Sequence, residues 1–459
     1  MNFHSANRPG ALSGIDCLLA LLMVIAFGLA AWKISVREPS ANFANTPKKL
    51  APVTPSSHSA RAGKPQALAD GRFRFDAQFV SGTPGRAVHA ASLVELQGGN
   101  LRAVWFSGSR EGAGDVSIQT AVMDQTTSRW GAESTLFERY QIERGLWRYV
   151  KKIGNPVIAR APDGSLLLWM VNVSLGGWAG SAISWARSID DGATWSVPRR
   201  LVSSPFLNVS TLVKGAPVAF ADGQIGLPVY HEFISKFAEI LRLDAQGRVV
   251  DKLRIPGSQT SLQPVVLVTA PEKAQVYMRS GNAKALMTSS TEDAGKTWTS
   301  TRASSWPNPD SAVAGVTTPS GEQWLALNPT TNNRETLALV VAANGASVDG
   351  AHLWTVESPA YAKRRPLVAE YQSLLGDELR ANGVSEEDAK TYIASARRQL
   401  CGPQSCSQEF SYPYLLQGSD GYVHLIYTWH RTRIKHIRFD PVQISLLAKP
   451  DIANVSPAN

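Results

Sequence analysis

A phenol, several guanidinium groups and a few carboxylates stand just past short apolar stretches of this chain. Arg110, Glu111 and Asp115 follow a strand ending in Trp105-Phe106, and Tyr230-His231-Glu232 follow the run 226–229. Arg279 ends the run 275–278, Arg334 precedes 337–341, and Tyr412 sits in Phe410-Ser411-Tyr412-Pro413. His424, Tyr427, Trp429, His430, Arg431 and His436 crowd the last strands. Arginines supply planar forks for a carboxylate, and a protonated His89 would add a further positive charge. A phenol becomes a nucleophile only beside a base or a cation, because its ordinary pKa is about 10. A carboxylic acid at 111 or 115 protonates a leaving oxygen if its pKa is raised. Each arginine alone reads as a solvated surface residue. The set carries weight because it recurs at equivalent points of successive strands. Zinc-ligand spacing, a phosphate-binding glycine loop and a Ser/His/Asp signature are all missing from the sequence, so no metal and no cofactor is expected.

Two matched stretches say what must position these groups. Ser188-Ile189-Asp190-Asp191-Gly192-Ala193-Thr194-Trp195 and Thr291-Glu292-Asp293-Ala294-Gly295-Lys296-Thr297-Trp298 share the pattern [ST]-x-D-x-G-x-T-W. Asp accepts backbone N–H groups across a turn, Gly takes the positive-φ position, and Thr-Trp starts the return strand. The indole is an apolar anchor between sheets. This is the Asp-box, and it resembles the sialidase-type repeat. Weaker copies run from Asp124 to Trp130 and from Asp349 to Trp354, with Asp244-Ala245-Gln246-Gly247 between the strong pair. A period of about 50–65 residues built from strands and turns predicts propeller blades. Hairpin joins at Gly98-Gly99, Asp163-Gly164, Asp222-Gly223, Ser320-Gly321 and Asp420-Gly421 support it. These boxes are read as structural turns and not as the chemistry.

One segment breaks the β pattern. Leu367, Tyr371, Leu374 and Leu375 fall at helical spacing, and Ser385-Glu386-Glu387-Asp388 is an N-cap with an acidic first turn. A helical insertion over about 360–400 is expected, closed by Cys401 and Cys406, which form a local disulfide in an oxidising compartment.

The chain has 459 residues, 44% hydrophobic and 18% charged, with 36 Gly and 27 Pro, which suits a turn-rich β protein. The net charge of +9 favours anionic partners, but the basic residues are scattered and no nucleic-acid motif is present, so no nucleic-acid partner is expected. Cys17 to Trp32 is an apolar run of 16 residues closed by Lys33 and Arg37. It is short against the ~20 residues of a spanning helix, and reads as a signal anchor or as a cleaved signal peptide with a Gly28-Leu29-Ala30 site. Residues 1–34 are therefore a membrane segment, 35–72 a Pro/Ser/Ala-rich flexible linker, 73–447 the propeller and 448–459 a tail. The expected location is the bacterial inner membrane, with the propeller in the periplasm, or secretion if the signal is cleaved.

From about Val88 to Pro441 the sequence resembles the sialidase superfamily, in its bacterial branch with BNR (Asp-box) repeats. The segments that carry this are 89–96, Gly154-Asn155-Pro156-Val157, 227–232, Leu262-Gln263-Pro264, Pro307-Asn308-Pro309, and Ser411-Tyr412-Pro413 through Tyr427-Thr428-Trp429. The resemblance implies an all-β, six-bladed propeller. It implies three arginines on the substrate carboxylate, a Tyr nucleophile activated by Glu, and an Asp acid/base, an exception to the two-carboxylate glycosidase scheme. Arg279 and Arg334 match the second and third arginines, Tyr412 the nucleophile, and Asp115 or Glu111 the acid/base. His89 stands where the first arginine belongs, and Gln263 where the activating Glu is expected, with Glu232 on another loop as its substitute. Arg110, Tyr427 and Arg431 complete the expected binding set. The implied function is an exported glycoside hydrolase acting on an anionic or acetylated sugar. The alternatives are a non-catalytic glycan-binding propeller, or a polysaccharide lyase using Tyr412 and His89 on a uronic acid.

Overall fold

The computed structural model describes residues 14–35, 41–44, 66–67, 73–74, 77–204, 208–282, 284–361, 363–442 and 444. The chain divides into two units, Met1–Ala41 and Asn42–Asn459.

The second unit is a six-bladed β-propeller. Each blade is an antiparallel sheet of consecutive strands, with inner strands Ala87–Glu95, Lys152–Arg160, Leu212–Val213, Ser261–Val268, Ala314–Thr317 and Phe410–Gln417. We number the blades 1 to 6 in that order. The ring closes by exchange: Ala77–Phe79 pairs with Arg433–Phe439 and becomes the outermost strand of blade 6. Inner strands of neighbouring blades pack on one another around the axis. Strands buried on both faces form the core between blades, as in Leu166–Val173, which is buried throughout.

The two strong Asp-boxes fold alike. Asp190 Oδ1 accepts from Thr194 N at 2.9 Å and Oδ2 from Thr194 Oγ1 at 2.6 Å; Asp293 repeats both bonds with Thr297 at the same lengths. Ser188 and Thr291 hydroxyls accept from Gly192 N and Gly295 N, at 2.8 and 2.9 Å. Glycine is not the only positive-φ position, since Asp191 and Ala294 both have φ 58°. Asp191 also accepts from Gln97 N of blade 1 at 2.8 Å, so this turn joins two blades.

The helical insertion forms two helices after blade 5. The first spans Val368–Ala381; the second spans Glu386–Leu400, with Ser385 Oγ accepting from Asp388 N at 3.1 Å. Tyr371, Leu375, Leu379 and Tyr392 are buried against Phe410, Tyr427 and Trp429 of blade 6. Leu367 lies outside the helix and is exposed. Cys401 and Cys406 are bonded to each other.

The apolar run forms helix Gly14–Ser35. No helix among the described residues is long and apolar enough to cross a membrane, so the expected spanning segment finds no support there. Of the expected linker, Asn42–Ala44 is docked: Phe43 stacks on Phe220 at 5.1 Å, and its N–H donates to Pro271 O at 2.7 Å. Gln66–Ala67 pairs with Phe73–Arg74 across the expected boundary. The rest of that linker and the expected tail lie outside the described residues.

Candidate functional site

Inner strands of four blades share one irregularity near their starts. The pairing slips between His89 and Ser92, opposite Asn155, between Leu262 and Val265, and between Ser411 and Tyr414. At each slip one residue is left-handed: Ala90 at φ 54°, Asn155 at 41°, Gln263 at 53° and Tyr412 at 52°. Pro follows three of the four. Bulges re-aim side chains and are over-represented near active sites. Here two of them meet at one phenol: Asn155 Nδ2 and Gln263 Nε2 both donate to Tyr230 Oη at 3.3 Å, and Tyr412 is an electrostatic neighbour of that phenol.

Charged groups come to the same end of the blades from the second strands and the loops that follow them. Arg334 stands 5.9 Å from the centre of the Tyr412 ring, and the His89 ring is 4.2 Å from it. Arg279 is drawn on by Tyr412, Asp310, Tyr230 and Glu232; burial opposes its charge, but these neighbours hold the guanidinium above its ordinary proton affinity. Arg279 Nε lies 3.1 Å from Asp310 Oδ1, without the alignment of a hydrogen bond. Arg431 Nε donates to Glu409 Oε2 at 2.7 Å, and Glu409 Oε1 accepts from Ser411 Oγ at 2.7 Å and faces Arg334 at 3.7 Å. Glu111 approaches Arg431 at 3.9 Å. Lys152 lies over the Trp178 ring at 3.9 Å, within the electrostatic reach of Glu111 and Glu232.

The sequence-derived set is thus brought together in large part. Tyr412, Arg279, Arg334, Arg431, His89, Glu232 and Glu111 share one end of the propeller. Arg110 is exposed, and its side chain makes no hydrogen bond or ion pair among the described residues. Asp115 is held by its own turn, accepting from Ser109 N at 3.0 Å and Ser109 Oγ at 2.9 Å. Tyr427 is elsewhere: it is fully buried beneath the helical insertion and donates to Glu357, which also accepts from Lys435 at 2.6 Å. It is a core residue and not a ligand contact.

His89 needs a different correction. Burial, then Arg431, Arg334 and Lys214, hold its pKa well below the ordinary value, so it is a neutral imidazole and not the expected third cation. Its Nδ1 lies 3.1 Å from Thr428 Oγ1. The third guanidinium is Arg431.

Sequence reasoning missed Glu409 and Lys214, and named Tyr230 beside Glu232 without giving it a role. Lys214 is buried with no carboxylate paired to it among the described residues: its Nζ donates to Pro413 O at 3.1 Å, and burial pulls its pKa down to about 7. A Glu opening the apolar strand that carries Tyr412 was the available signal for Glu409. A separate cavity of about 620 Å³ opens at the turn end of the blades, lined by Leu96, Arg160, Pro217 and Ser419, and contains none of these groups.

The described residues hold no group of three or more His, Cys, Asp or Glu side chains that could ligate a metal. What stands here is a phenol amid three guanidinium groups, each backed by a carboxylate. Guanidinium groups so placed have the chemistry to hold an anion and to polarise a hydroxyl.

Comparison with known families bears on this geometry. Residues 99–425 match the profile described as BNR repeat-like domain, which covers most of the propeller. The chain belongs to the BNR repeat-like family. Among solved structures, this BNR propeller is similar to the Hadza microbial sialidase Hz136, with TM-score 0.54 and 16% identity over 78% of this chain and 66% of that one. It is similar to a protein of unknown function from Dyadobacter fermentans, with TM-score 0.59 and 11% identity over 80% and 98%. It is also similar to the intramolecular trans-sialidase from Ruminococcus gnavus, with TM-score 0.55 and 11% identity over 80% and 96%. At these identities the likeness is one of fold alone. No curated protein matches it.

Proposed function

We propose that this BNR propeller is an exported glycoside hydrolase acting on an anionic or acetylated sugar. One observation carries the reading: Tyr412, at its bulge, stands within the electrostatic reach of Arg279, Arg334 and Arg431. The arginines hold a sugar carboxylate through their planar forks. The Tyr412 oxygen attacks the anomeric carbon as its proton passes to Glu232, and a glycosyl–tyrosine bond forms. Glu111 gives its proton to the departing oxygen and, now a carboxylate, takes one from the water that later attacks the anomeric carbon, breaking the glycosyl–tyrosine bond as Glu232 returns the proton to the Tyr412 oxygen. Glu111 suits this role better than Asp115, because both Asp115 oxygens are engaged by Ser109. We place the propeller outside the cytoplasm.

A second reading draws on the neutral His89 beside Tyr412. In a lyase, that imidazole takes the proton α to a uronate carboxylate while Tyr412 protonates the leaving oxygen. The test is a panel of acidic glycans read for product type. Hydrolysis gives a free reducing sugar, lysis an unsaturated product absorbing in the ultraviolet, and binding alone neither. On an accepted substrate, Tyr412→Phe lowers turnover at least about a hundredfold with the fold intact. Arg334→Lys mainly weakens binding. Full turnover by Tyr412→Phe refutes both catalytic readings.

A further inference from the structure

We propose a second glycan-binding site on the rim of the propeller, in the groove beside the helix Arg139–Leu146, where Trp147, Tyr149, Arg144 and Arg148 hold a stretch of acidic polysaccharide. It does not rest on the chemistry assigned to Tyr412.

The groove encloses about 780 Å³ between this helix and the outer edge of blade 2, with Trp195 and Val197 on its other side. Trp147 is 96% exposed. It also occupies the residue just past the helix end with φ 49° and ψ 42°, a left-handed conformation usually given to Gly or Asn. A bulky side chain there strains the backbone, and an indole in solvent gains nothing from burial. Packing therefore does not account for it. Tyr149 adds a second half-exposed ring.

The unpaired charge at the groove is positive, although Glu143 also lines it. Arg144 and Arg148 make no side-chain ion pair among the described residues, whereas the neighbouring Glu143 is occupied by Arg139 at 2.8 Å and by Val150 N at 3.2 Å. Arg200 is near enough to feel Arg148: burial and then that guanidinium lower its proton affinity. Unpaired guanidinium groups call for an anion. Flat ring faces beside them suit the C–H faces of sugar rings. A concave groove with arginines and aromatics fits a polymer chain better than a bilayer, which needs an aliphatic face.

The experiment uses the full chain and four probes: polygalacturonate, polysialic acid, neutral dextran and phosphatidylglycerol vesicles. Binding is followed by tryptophan fluorescence and affinity electrophoresis. The expected result is binding of at least one acidic glycan in preference to dextran, weakened at least about tenfold by Trp147→Ala or Arg148→Ala and unchanged by Tyr412→Phe. Trp147→Gly relieves the left-handed backbone, so it raises the melting temperature while losing the same affinity. A structural role for Trp147 would not separate those two readouts. Unaltered affinity in Trp147→Ala, loss through Arg334→Lys alone, preference for the vesicles, or no binding of either acidic glycan each overturns the proposal.

Discussion

Glu409 joins two guanidinium groups that lie far apart in sequence: its Oε2 accepts from Arg431 Nε at 2.7 Å and its Oε1 faces Arg334 Nη1 at 3.7 Å. The backbone reinforces the pairing, because Phe410 N donates to Arg334 O at 2.9 Å and His430 N to Glu409 O at 2.7 Å. The helical insertion stands behind it, with Tyr371 Oη 2.9 Å from His430 Nδ1.

Glu409→Gln removes the charge that holds both arginines. Arg431 keeps some solvent contact, so the cost falls below the range for a fully buried pair, at about 1–3 kcal/mol. Turnover should fall together with the loss of selectivity among anions. Chemical denaturation and competition by simple anions measure the two effects. Wild-type stability and selectivity in the variant would contradict the clamp.

Three buried histidines make stability depend on pH. Burial and neighbouring cations hold His89 well below its ordinary pKa; burial and then Lys435 take His430 to about 3; burial, His424 and Arg438 lower His436. The unfolded chain binds protons from about pH 6.5 downwards, whereas these folded sites do not. The stability due to neutrality is therefore complete above about pH 6.5 and lost as pH falls below it, down to about 3 for His430, by roughly 1.4 kcal/mol per pH unit for each group. Thermal unfolding across this interval should show a falling midpoint, less steep in His436→Gln. A flat profile would mean that the imidazoles are not protected.

The Asp-boxes stabilise without taking part in chemistry. Ser188 pairs with Leu166 at the turn end of blade 2, while Asn155 lies at the opposite end of the same sheet. Asp293→Ala leaves the N–H of Thr297 without its acceptor and should lower the melting temperature, with turnover per folded molecule unchanged. An equally stable but inactive variant would give the box a different role.

Phe43 should act as a latch. It is 3% exposed, and Ala44 N and Ala221 N each form a 2.8 Å backbone bond across the contact with blade 3. Phe43→Ala should accelerate limited proteolysis of the segment before the propeller while leaving its melting temperature nearly unchanged. Equal cleavage rates would show that the contact holds nothing.

Local rules were enough for much of the fold. The matched octets at Asp190 and Asp293, the five Gly-containing hairpin joins and the Ser385 cap are each complete within a few residues, because turn and cap bonds close over short separations. So the blades, the two inserted helices and the Cys401–Cys406 pair were legible from the sequence. The arginines and Tyr412 were legible too, as positions at strand ends. Closure of blade 6 by Ala77–Phe79 was not, since a two- or three-residue edge strand has no period of its own. The site's electrostatics were likewise decided by the tertiary structure. His89 looks like a cation until burial and three nearby positive charges hold it neutral, Tyr427 looks like a ligand contact until the insertion covers it, and Glu409 is an ordinary acidic residue until folding sets it between Arg334 and Arg431. Charge state and direction depend on what surrounds a side chain from distant parts of the chain, and only the closed ring brings those parts together.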